Sequence, residues 1–266
     1  MPNMMYHFVG TDEKLKGISF SDFKAQLDHL QESYGGDDLV LTFDHGTIDH
    51  IETAAPELER RGLRGIFFIL TMVPEDHRVA SIDQQRFLEA DYRTALAEMI
   101  CTDLGLPYEP ETAADHLAEF GFYSLEERYI RYLRDFVIPA SDYEQAIGHL
   151  FEDAFGSEAH FCARQYLSWD HIRDLHDRGH VIGSHSHDHY GDAADYGKSL
   201  DFIETAIGVR ATKISYPNGN KRISNTELQA LGIAVAYDSR PGKEDPFNAP
   251  RIDCNQFSIV PSGDAT

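Results

Sequence analysis

The sequence predicts an α/β fold, namely a (β/α) barrel or part of one that is interrupted by a helical insertion. Short apolar runs alternate with amphipathic segments before residue 70 and again after residue 168, as they do in parallel sheets covered by helices. Between about residues 73 and 166 the apolar residues recur at helical spacing, and the sequence shows no strand-like alternation. We therefore expect one domain over residues 1–266, with the insertion inside it.

The composition is that of a folded and acidic protein. Hydrophobic residues make up 42% of the chain, which is enough for a packed core. The formal charge of -22 repels phosphate backbones and anionic lipids, so neither nucleic acid nor a membrane surface is an expected partner. The longest apolar run, 65–70 (GIFFIL), is too short to cross a bilayer, and the N-terminal residues lack the pattern of an export signal. We expect a soluble, cytoplasmic protein whose three cysteines are reduced packing residues.

The first strand–helix–strand unit covers residues 39–70. The run 39–43 (LVLTF) is apolar and β-branched throughout, which is typical of a strand buried on both faces. A helix is expected over 48–61, with Gly62 as its left-handed C-terminal cap, and a second strand over 64–70. A unit this short allows only a parallel crossover between the two strands.

The insertion carries one clear helical stripe, in which apolar residues recur at i, i+3 and i+4. The stripe consists of Tyr129, Tyr132, Leu133, Phe136 and Val137, and we expect Tyr129, Tyr132 and Phe136 to serve as core residues. Two roles are open for the insertion: it covers the mouth of the barrel, or it forms the contact of a homo-oligomer.

The alternation of strands and helices resumes at Ser168, a good N-cap, and Gly179 marks the end of the helix that follows. The pattern continues to residue 237. The expected strands are 180–183, 212–216 and 233–237, and the expected helices are 198–207 and 225–231.

Histidines are concentrated between residues 171 and 189. Within this tract, GSHSHDHY (183–190) places His185 and His189 four residues apart, directly after a predicted strand. This spacing allows two imidazoles to bind one metal ion. The alternative is a polar loop with solvated histidines, since short histidine-rich tracts also occur without a function.

A second polar cluster, TFDHG (42–46), ends the strand at 39–43. It combines the carboxylate of Asp44, the imidazole of His45 and a glycine that permits a sharp turn. Alternatively, it is a strand-terminating turn in which Asp44 caps the next helix. Because the carboxyl ends of parallel strands converge on one mouth, we expect both of these residues to lie near His185, His189 and Tyr216.

These motifs resemble those of a known family. TFDHG is similar to the TFDDG motif of the polysaccharide deacetylases (the NodB-homology family, carbohydrate esterase family four), and HSHDH is similar to their H-[ST]-x-x-H metal motif. Residues 6–9 (YHFV) with ISFSDFKAQLDHL resemble the family's opening strand and helix, RGIFFIL its second strand, and SYPNGN its third motif. The resemblance covers about residues 5–70 and 167–255. The insertion resembles relatives from bacterial surface-polysaccharide loci.

The resemblance implies a distorted, incomplete (β/α) barrel that removes the acetyl group of an N-acetylated sugar with a divalent metal, for which imidazole ligands favour zinc. Asp44 matches the family's general base, and His185 and His189 match two metal ligands. His45 stands where the family has a metal-binding aspartate. Because imidazole is a good zinc ligand, His45 is expected to be the third ligand, with coordination by Asp44 itself as the alternative.

Amide hydrolysis also needs an oxyanion donor and a general acid. A backbone N–H near Tyr216 is expected to stabilise the tetrahedral oxyanion. The family's late motif with a histidine acid is not evident in the sequence. We therefore expect His7, or in second place His187, to protonate the departing amine, the alternative for each being a structural or solvated histidine.

The third motif lacks the arginine that some members of the family have, since Lys213 stands three residues before Tyr216. Arg251 is the expected replacement. A cation beside Asp44 lowers the pKa of the carboxylate and orients it. The alternative for Arg251 is a surface salt bridge with Asp253.

The sequence thus predicts a metal-dependent N-deacetylase whose partner is an N-acetylated sugar or a glycan precursor. Two other functions stay open. The same fold and metal suit a hydrolase of a small amide, imide or formamide, because the late acid motif is not evident. The other possibility belongs to a different class. If the histidine in TFDHG reflects loss of catalytic activity, the chain is a catalytically weakened glycan-binding or scaffold protein.

Overall fold

The computed structural model describes residues 3–10, 15, 17–36, 39–118, 121, 123–240, 242 and 245–257. The chain divides into two compact units, of which the first comprises residues 1–78 and 162–266 and the second residues 79–161. In the described part of the first unit, seven parallel strands form a closed barrel in sequence order. The strands are β1 (Asn3–Tyr6), β2 (Val40–His45), β3 (Gly65–Ile69), β4 (Val181–Ser184), β5 (Lys213–Ser215), β6 (Val235–Asp238) and β7 (Ala249–Asp253).

Helices connect the strands and make up the second unit. The helices before residue 79 are α1 (Phe20–Tyr34), α2 (Ala55–Arg60), which follows a π-helical turn at His50–Ala54, and α3 (Met72–Asp76). The next are α4 (Ser81–Tyr92), α5 (Ala95–Asp103), α6 (Leu125–Tyr132), which leads into a π-helical turn at Leu133–Val137, α7 (Ala140–Phe155) and α8 (Glu158–Gln165). They are followed by α9 (Trp169–Asp177), α10 (Ala193–Ile207) and α11 (Asn225–Ala230). Over the described ranges, none of these helices combines the length and the apolar character that a membrane span requires.

The barrel closes between its first and last strands. Asn3 of β1 pairs with Val40 of β2 on one side and with Arg251 of β7 on the other, and all of these pairings are parallel. The expected fold class is confirmed, and the described ring has seven strands where a complete (β/α) barrel has eight. Because every strand runs in the same direction, all carboxyl ends meet at one rim.

Aromatic rings from the neighbouring strands β1, β2 and β3 stack against one another. The ring of Phe43 lies 5.1 Å from that of Tyr6 and 4.8 Å from that of Phe67, and all three side chains are fully buried. Burying an aromatic side chain of this size contributes about 1.5–3 kcal/mol. At Gly65 a Cβ atom would come within 2.9 Å of the Phe43 ring, so this strand position accepts only glycine without a shift of its neighbours. This packing fixes β2, whose last two residues are Asp44 and His45.

The boundaries of several elements differ from those expected. The first strand is Asn3–Tyr6 and not 6–9, because these residues pair with β2 and β7, whereas Val9, although buried, makes only an isolated bridge to Ile18. Helix α10 begins at Ala193, five residues before the expected start at 198, because the side chain of Asp192 caps it. Strand β7 was not expected as a strand.

The second unit has its own core, and two residues of the expected stripe lie outside it. Tyr129 and Leu133 are buried, but Phe136 is 70% exposed and Val137 is 44% exposed. The helix changes to π-helical hydrogen bonding at Leu133–Val137, and this wider turn rotates the following side chains away from the α-helical stripe. The prediction that Phe136 belongs to the core was therefore wrong.

Candidate active site

Three histidines converge at the carboxyl rim of the barrel. His45 is the last residue of β2, His185 directly follows β4, and His189 lies four residues further on. One ring nitrogen from each lies within 4.8 Å of the others, and the ring centroids are 4.8–5.1 Å apart. His45 and His185 are buried, and His189 is partly exposed. These positions agree with the expectation that the three histidine side chains lie close together.

The backbone at two of these histidines has an unusual conformation. His45 has φ 75° and His189 has φ 59°, in the left-handed region that residues other than glycine rarely adopt. Such a residue costs about 1–3 kcal/mol and persists only where its surroundings enforce it. Gly46 follows with φ 80°, so the chain turns sharply and directs the His45 ring to the rim.

The histidine cluster fits a metal ion by the chemistry of its donors. Three neutral imidazoles are a ligand set that favours zinc, with the fourth position left for water or substrate. Three nitrogens bound tetrahedrally to one zinc ion lie about 3.4 Å apart, given Zn–N distances of about 2.1 Å. The present separations of up to 4.8 Å require the rings to approach by about an ångström, which rotation about their side-chain bonds allows.

His185 is held by strand β5. Its Nδ1 lies 3.2 Å from the carbonyl oxygen of Ser215 and 2.6 Å from the Ser215 Oγ. Because a carbonyl oxygen only accepts hydrogen bonds, Nδ1 carries the proton in this arrangement. The lone pair of the neutral ring is then on Nε2, the nitrogen available to a metal ion.

Asp44, the residue before His45, forms a buried ion pair with Arg251 of β7. Nη1 of the arginine donates to Oδ1 at 2.7 Å, and Nη2 donates to Oδ2 at 2.8 Å. Burial by itself raises the pKa of Asp44, but the charge and hydrogen bonds of Arg251, assisted by His185, hold this pKa well below its usual range. Asp44 is therefore an ionised and oriented carboxylate next to the histidine cluster.

This geometry disagrees with two of the alternatives that the sequence left open and does not favour a third. Arg251 does not form a surface salt bridge with Asp253, because its side chain is fully buried against Asp44. Asp44 does not cap the helix after β2, because its oxygens accept hydrogen bonds from Arg251 and Ser215. Among the described residues, the group that converges as metal ligands consists of the three histidines, so the structure does not support Asp44 as a ligand.

His7 lies at the rim next to the cluster. Its ring centroid is 5.4 Å from that of His45, and its backbone carbonyl accepts hydrogen bonds from Nε2 of His50 at 2.7 Å and from Oγ1 of Thr47 at 3.3 Å. Burial lowers the pKa of His50, so this ring is neutral and its Nε2–H is the donor. The segment that carries His7 is thus attached to the chain after β2.

His187 lies outside the cluster. Its ring is buried, with Nδ1 3.0 Å from Oγ1 of Thr71 and Nε2 2.9 Å from Oδ2 of Asp76. Phe202 packs against the ring at 5.4 Å. Contacts to α3 and α10 therefore hold this histidine away from the cluster, which favours the structural role that the sequence left open for it.

Tyr216 is at the expected strand end, but its own backbone N–H is already used within the sheet. Its backbone N–H donates to the carbonyl of Tyr237 at 3.0 Å, as part of the pairing between β5 and β6. Its phenol donates to the carbonyl of Phe247 at 2.9 Å. The N–H of Tyr216 itself is therefore not an oxyanion donor, because the β ladder uses it.

The loop that carries His189 is organised by Asp195, a residue that sequence reasoning missed. Its Oδ1 accepts hydrogen bonds from the backbone N–H groups of His187 and Asp188, and its Oδ2 from those of Tyr190 and Gly191, at 2.7–2.9 Å. Burial alone raises the pKa of Asp195, but these N–H groups lower it overall. In the sequence, the only signal was an acid in the first turn of α10, which is usually exposed.

The fold is similar to solved structures of deacetylases. The Streptococcus pyogenes deacetylase PplD, solved in complex with acetate, is 14% identical with a TM-score of 0.52 over 98% of this chain and 93% of that chain. IcaB from Ammonifex degensii is 16% identical with a TM-score of 0.53 over 98% and 91% of the two chains. A de-N-acetylase from Aggregatibacter actinomycetemcomitans is 13% identical with a TM-score of 0.50 over 97% and 96%. No protein-family model and no curated protein matches the sequence. At these identities the similarity concerns the fold.

Proposed function

We propose that the chain is a zinc-dependent hydrolase that removes the N-acetyl group from an amino sugar or a glycan precursor. The observation that carries this proposal is the convergence of three imidazoles beside a buried, ionised carboxylate at the carboxyl rim. Known deacetylases share the fold, and the motifs at these positions resemble those of the polysaccharide deacetylases.

His45, His185 and His189 would hold the metal ion. When bound, zinc polarises a carbonyl group and lowers the pKa of water from about 15.7 to about 7. Asp44 accepts the proton of the attacking water, since the hydrogen bonds and charge of Arg251 lower the pKa of its carboxyl and favour the ionised form. The reaction balances as amide plus water giving acetate and the protonated amine. Asp44 takes one proton of the water, a protonated imidazole gives one to the nitrogen, and proton exchange with solvent then returns both residues to their starting forms.

The hydrogen bonds of Asp44 indicate which oxygen takes the proton. Oδ1 accepts from Nη1 of Arg251 at 2.7 Å and from Oγ of Ser215 at 3.3 Å, whereas Oδ2 accepts from Nη2 of Arg251. A carboxylate oxygen offers about two lone pairs. Oδ2 therefore keeps an acceptor direction for the water, and Arg251 fixes that direction in the barrel.

His7 is the residue we assign to protonation of the amine. Its ring is beside that of His45, and its segment is fixed by the hydrogen bond from His50 to its carbonyl. An imidazole has an ordinary pKa of about 6.5, which makes it an effective proton donor near neutral pH.

The test measures metal content and acetate release together. The purified protein is expected to bind one zinc per chain and to release acetate from N-acetylglucosamine oligomers. Asp44→Asn should keep the zinc and lose about 10²-fold or more in kcat, the scale of a lost general base. Zinc binding with turnover of simple amides or formamides alone would favour the other enzyme function, and the absence of both zinc and turnover would favour the scaffold protein.

The stability of the variant must be controlled in this test. Replacing Asp44 leaves the buried guanidinium of Arg251 without its partner, which costs about 3–5 kcal/mol. The double variant Asp44→Asn/Arg251→Met removes both charges and should unfold at a higher temperature than Asp44→Asn. If Asp44→Asn is folded and hydrolyses at the normal rate, the role of Asp44 is wrong.

A further inference from the structure

Ser215, the last residue of β5, connects two parts of the candidate site that come from different strands. It is fully buried, and its Oγ lies 2.6 Å from Nδ1 of His185 and 3.3 Å from Oδ1 of Asp44. Its carbonyl accepts hydrogen bonds from Nδ1 of His185 and from the phenol of Tyr196, the latter at 2.8 Å. The sequence motifs assigned no role to this residue.

The direction of these hydrogen bonds follows from which partners can donate. Both oxygens of Asp44 accept hydrogen bonds from Arg251, so the carboxylate faces Ser215 as an acceptor and the single hydroxyl proton of Ser215 points to Oδ1. The Oγ atom must then accept from His185, which requires the proton of that ring to be on Nδ1. Nδ1–H of His185 thus donates to the Ser215 hydroxyl, and the hydroxyl donates to Asp44.

A hydroxyl in this place selects between the two neutral forms of His185. With the proton on Nδ1, two acceptors on Ser215 are satisfied and Nε2 presents its lone pair to the cluster. With the proton on Nε2, Nδ1 would face the carbonyl oxygen as an unprotonated acceptor, and the ring could not bind a metal through Nε2. Partners of this kind fix the ring orientation of histidine ligands, and their removal commonly weakens metal binding about 10–100-fold.

We propose that Ser215 is a positioning residue that fixes His185 in its Nδ1-protonated form and couples this ligand to the carboxylate of Asp44. The proposal rests on the proposed function in that it takes His185 to be a metal ligand. It makes the metal site depend on a residue that touches neither the metal ion nor the substrate.

The variants Ser215→Ala and Ser215→Thr test the proposal in two measurements. Zinc affinity is measured by competition with a chelating dye, and the protonated nitrogen of His185 is identified by ¹⁵N NMR of the metal-free chain. We expect about 10–100-fold weaker zinc binding in Ser215→Ala, with loss of the pure Nδ1–H form. Ser215→Thr keeps the hydroxyl and should restore both.

A matched control is Ser199→Ala. Ser199 is also fully buried, and its hydroxyl accepts a hydrogen bond from Ser184 Oγ at 2.7 Å. Its loss removes one buried hydrogen bond without touching His185, so zinc affinity should stay unchanged. If Ser215→Ala does not fold, Ser215→Cys keeps the size with a weak hydrogen-bonding group and should show the same two changes.

The proposal is overturned if Ser215→Ala binds zinc as tightly as the unchanged chain with His185 still protonated on Nδ1. It is also overturned if Ser215→Thr is as impaired as Ser215→Ala, or if Ser199→Ala weakens zinc binding equally. None of these measurements uses a substrate. Failure of the chain to release acetate would contradict the proposed function and leave the result for Ser215 unaffected.

Discussion

The guanidinium of Arg251 on β7 donates two hydrogen bonds to the carboxylate of Asp44 on β2, at 2.7 and 2.8 Å, with β1 between the two strands. Both side chains are buried, and Nη1 also donates to Oγ1 of Thr42 at 3.0 Å. The closed ring brings the last strand next to the first, so a residue near the C-terminal end of the chain can orient a carboxylate of β2.

Arg251→Gln should raise the pKa of Asp44. Without the guanidinium, burial dominates and favours the protonated carboxyl, so activity on the acidic side should fall at a higher pH than in the unchanged chain. The pH profile of kcat/KM measures this shift. Arg240→Gln is the matched control, because Arg240 is mostly exposed beside Asp238 and should leave the profile unchanged. An unshifted acidic limb in Arg251→Gln would contradict this assignment.

The same pair predicts how stability depends on pH. The folded-state pKa of Asp44 is lower than its unfolded value of about 3.9, so the pair stabilises the fold above that pH and this contribution is lost as the pH falls below it. Chemical denaturation between pH 7 and pH 3 should show a decline that is smaller in Arg251→Gln. Equal declines in both chains would show that Asp44 titrates normally.

His45→Asp should keep the metal, whereas His45→Ala should not. Aspartate is a zinc ligand through its oxygen, and it tolerates the left-handed backbone at this position better than most residues. Zinc bound after dialysis, measured by elemental analysis, should be close to one per chain in His45→Asp and well below one in His45→Ala. Full zinc content in His45→Ala would exclude His45 as a ligand.

His7→Ala and His187→Ala should separate a general acid from a structural histidine. Loss of His7 should lower kcat by about 10²-fold or more and change the melting temperature little. Loss of His187 leaves the buried hydroxyl of Thr71 without this partner and removes a contact with the exposed carboxylate of Asp76, so it should destabilise the fold by about 1–3 kcal/mol with kcat retained at saturating zinc. If kcat falls only in His187→Ala, His187 would be the general acid and His7 the structural histidine.

Asp195→Asn should weaken zinc binding through the His189 loop. The amide nitrogen would replace one of the two oxygens that accept the four backbone N–H groups, so two of these groups would lose their acceptor. We expect about 10–100-fold lower zinc affinity by chelator competition. Asp201→Asn, on the exposed side of α10, should bind zinc normally, and equal affinities in all chains would show that Asp195 has no influence on the site.

The sequence predicted those parts of the site that follow from strand order. His45 and His185 end or follow strands, and in a parallel barrel all such positions share one rim, so their meeting could be expected before the structure was known. The contact of Arg251 with Asp44 was one of two alternatives. Only the closure of the ring by β7 decides between them, and the segment 249–253 (APRID), with a proline and two charged residues, does not have a strand pattern.

Other parts depended on tertiary structure that no local pattern encodes. His187 lies between two histidines of the cluster in sequence, but the left-handed conformations of Ser186 and His189 reverse the direction of the loop and turn His187 towards α3. Phe136 fits a helical stripe, and the π-helical turn removes it from that stripe. Ser215 acts through partners 30 and 171 residues away in sequence, and Asp195 acts through backbone N–H groups that meet only in the folded loop, so their residue types alone gave no signal.

The most direct test of the metal centre is X-ray absorption at the zinc edge of the purified, zinc-loaded chain. We predict three imidazole ligands at about 2.0–2.1 Å with one further oxygen ligand, and two imidazoles in His45→Ala reconstituted with excess zinc. A site with fewer than three imidazoles in the unchanged chain, or the same spectrum in His45→Ala, would contradict a zinc centre built from His45, His185 and His189.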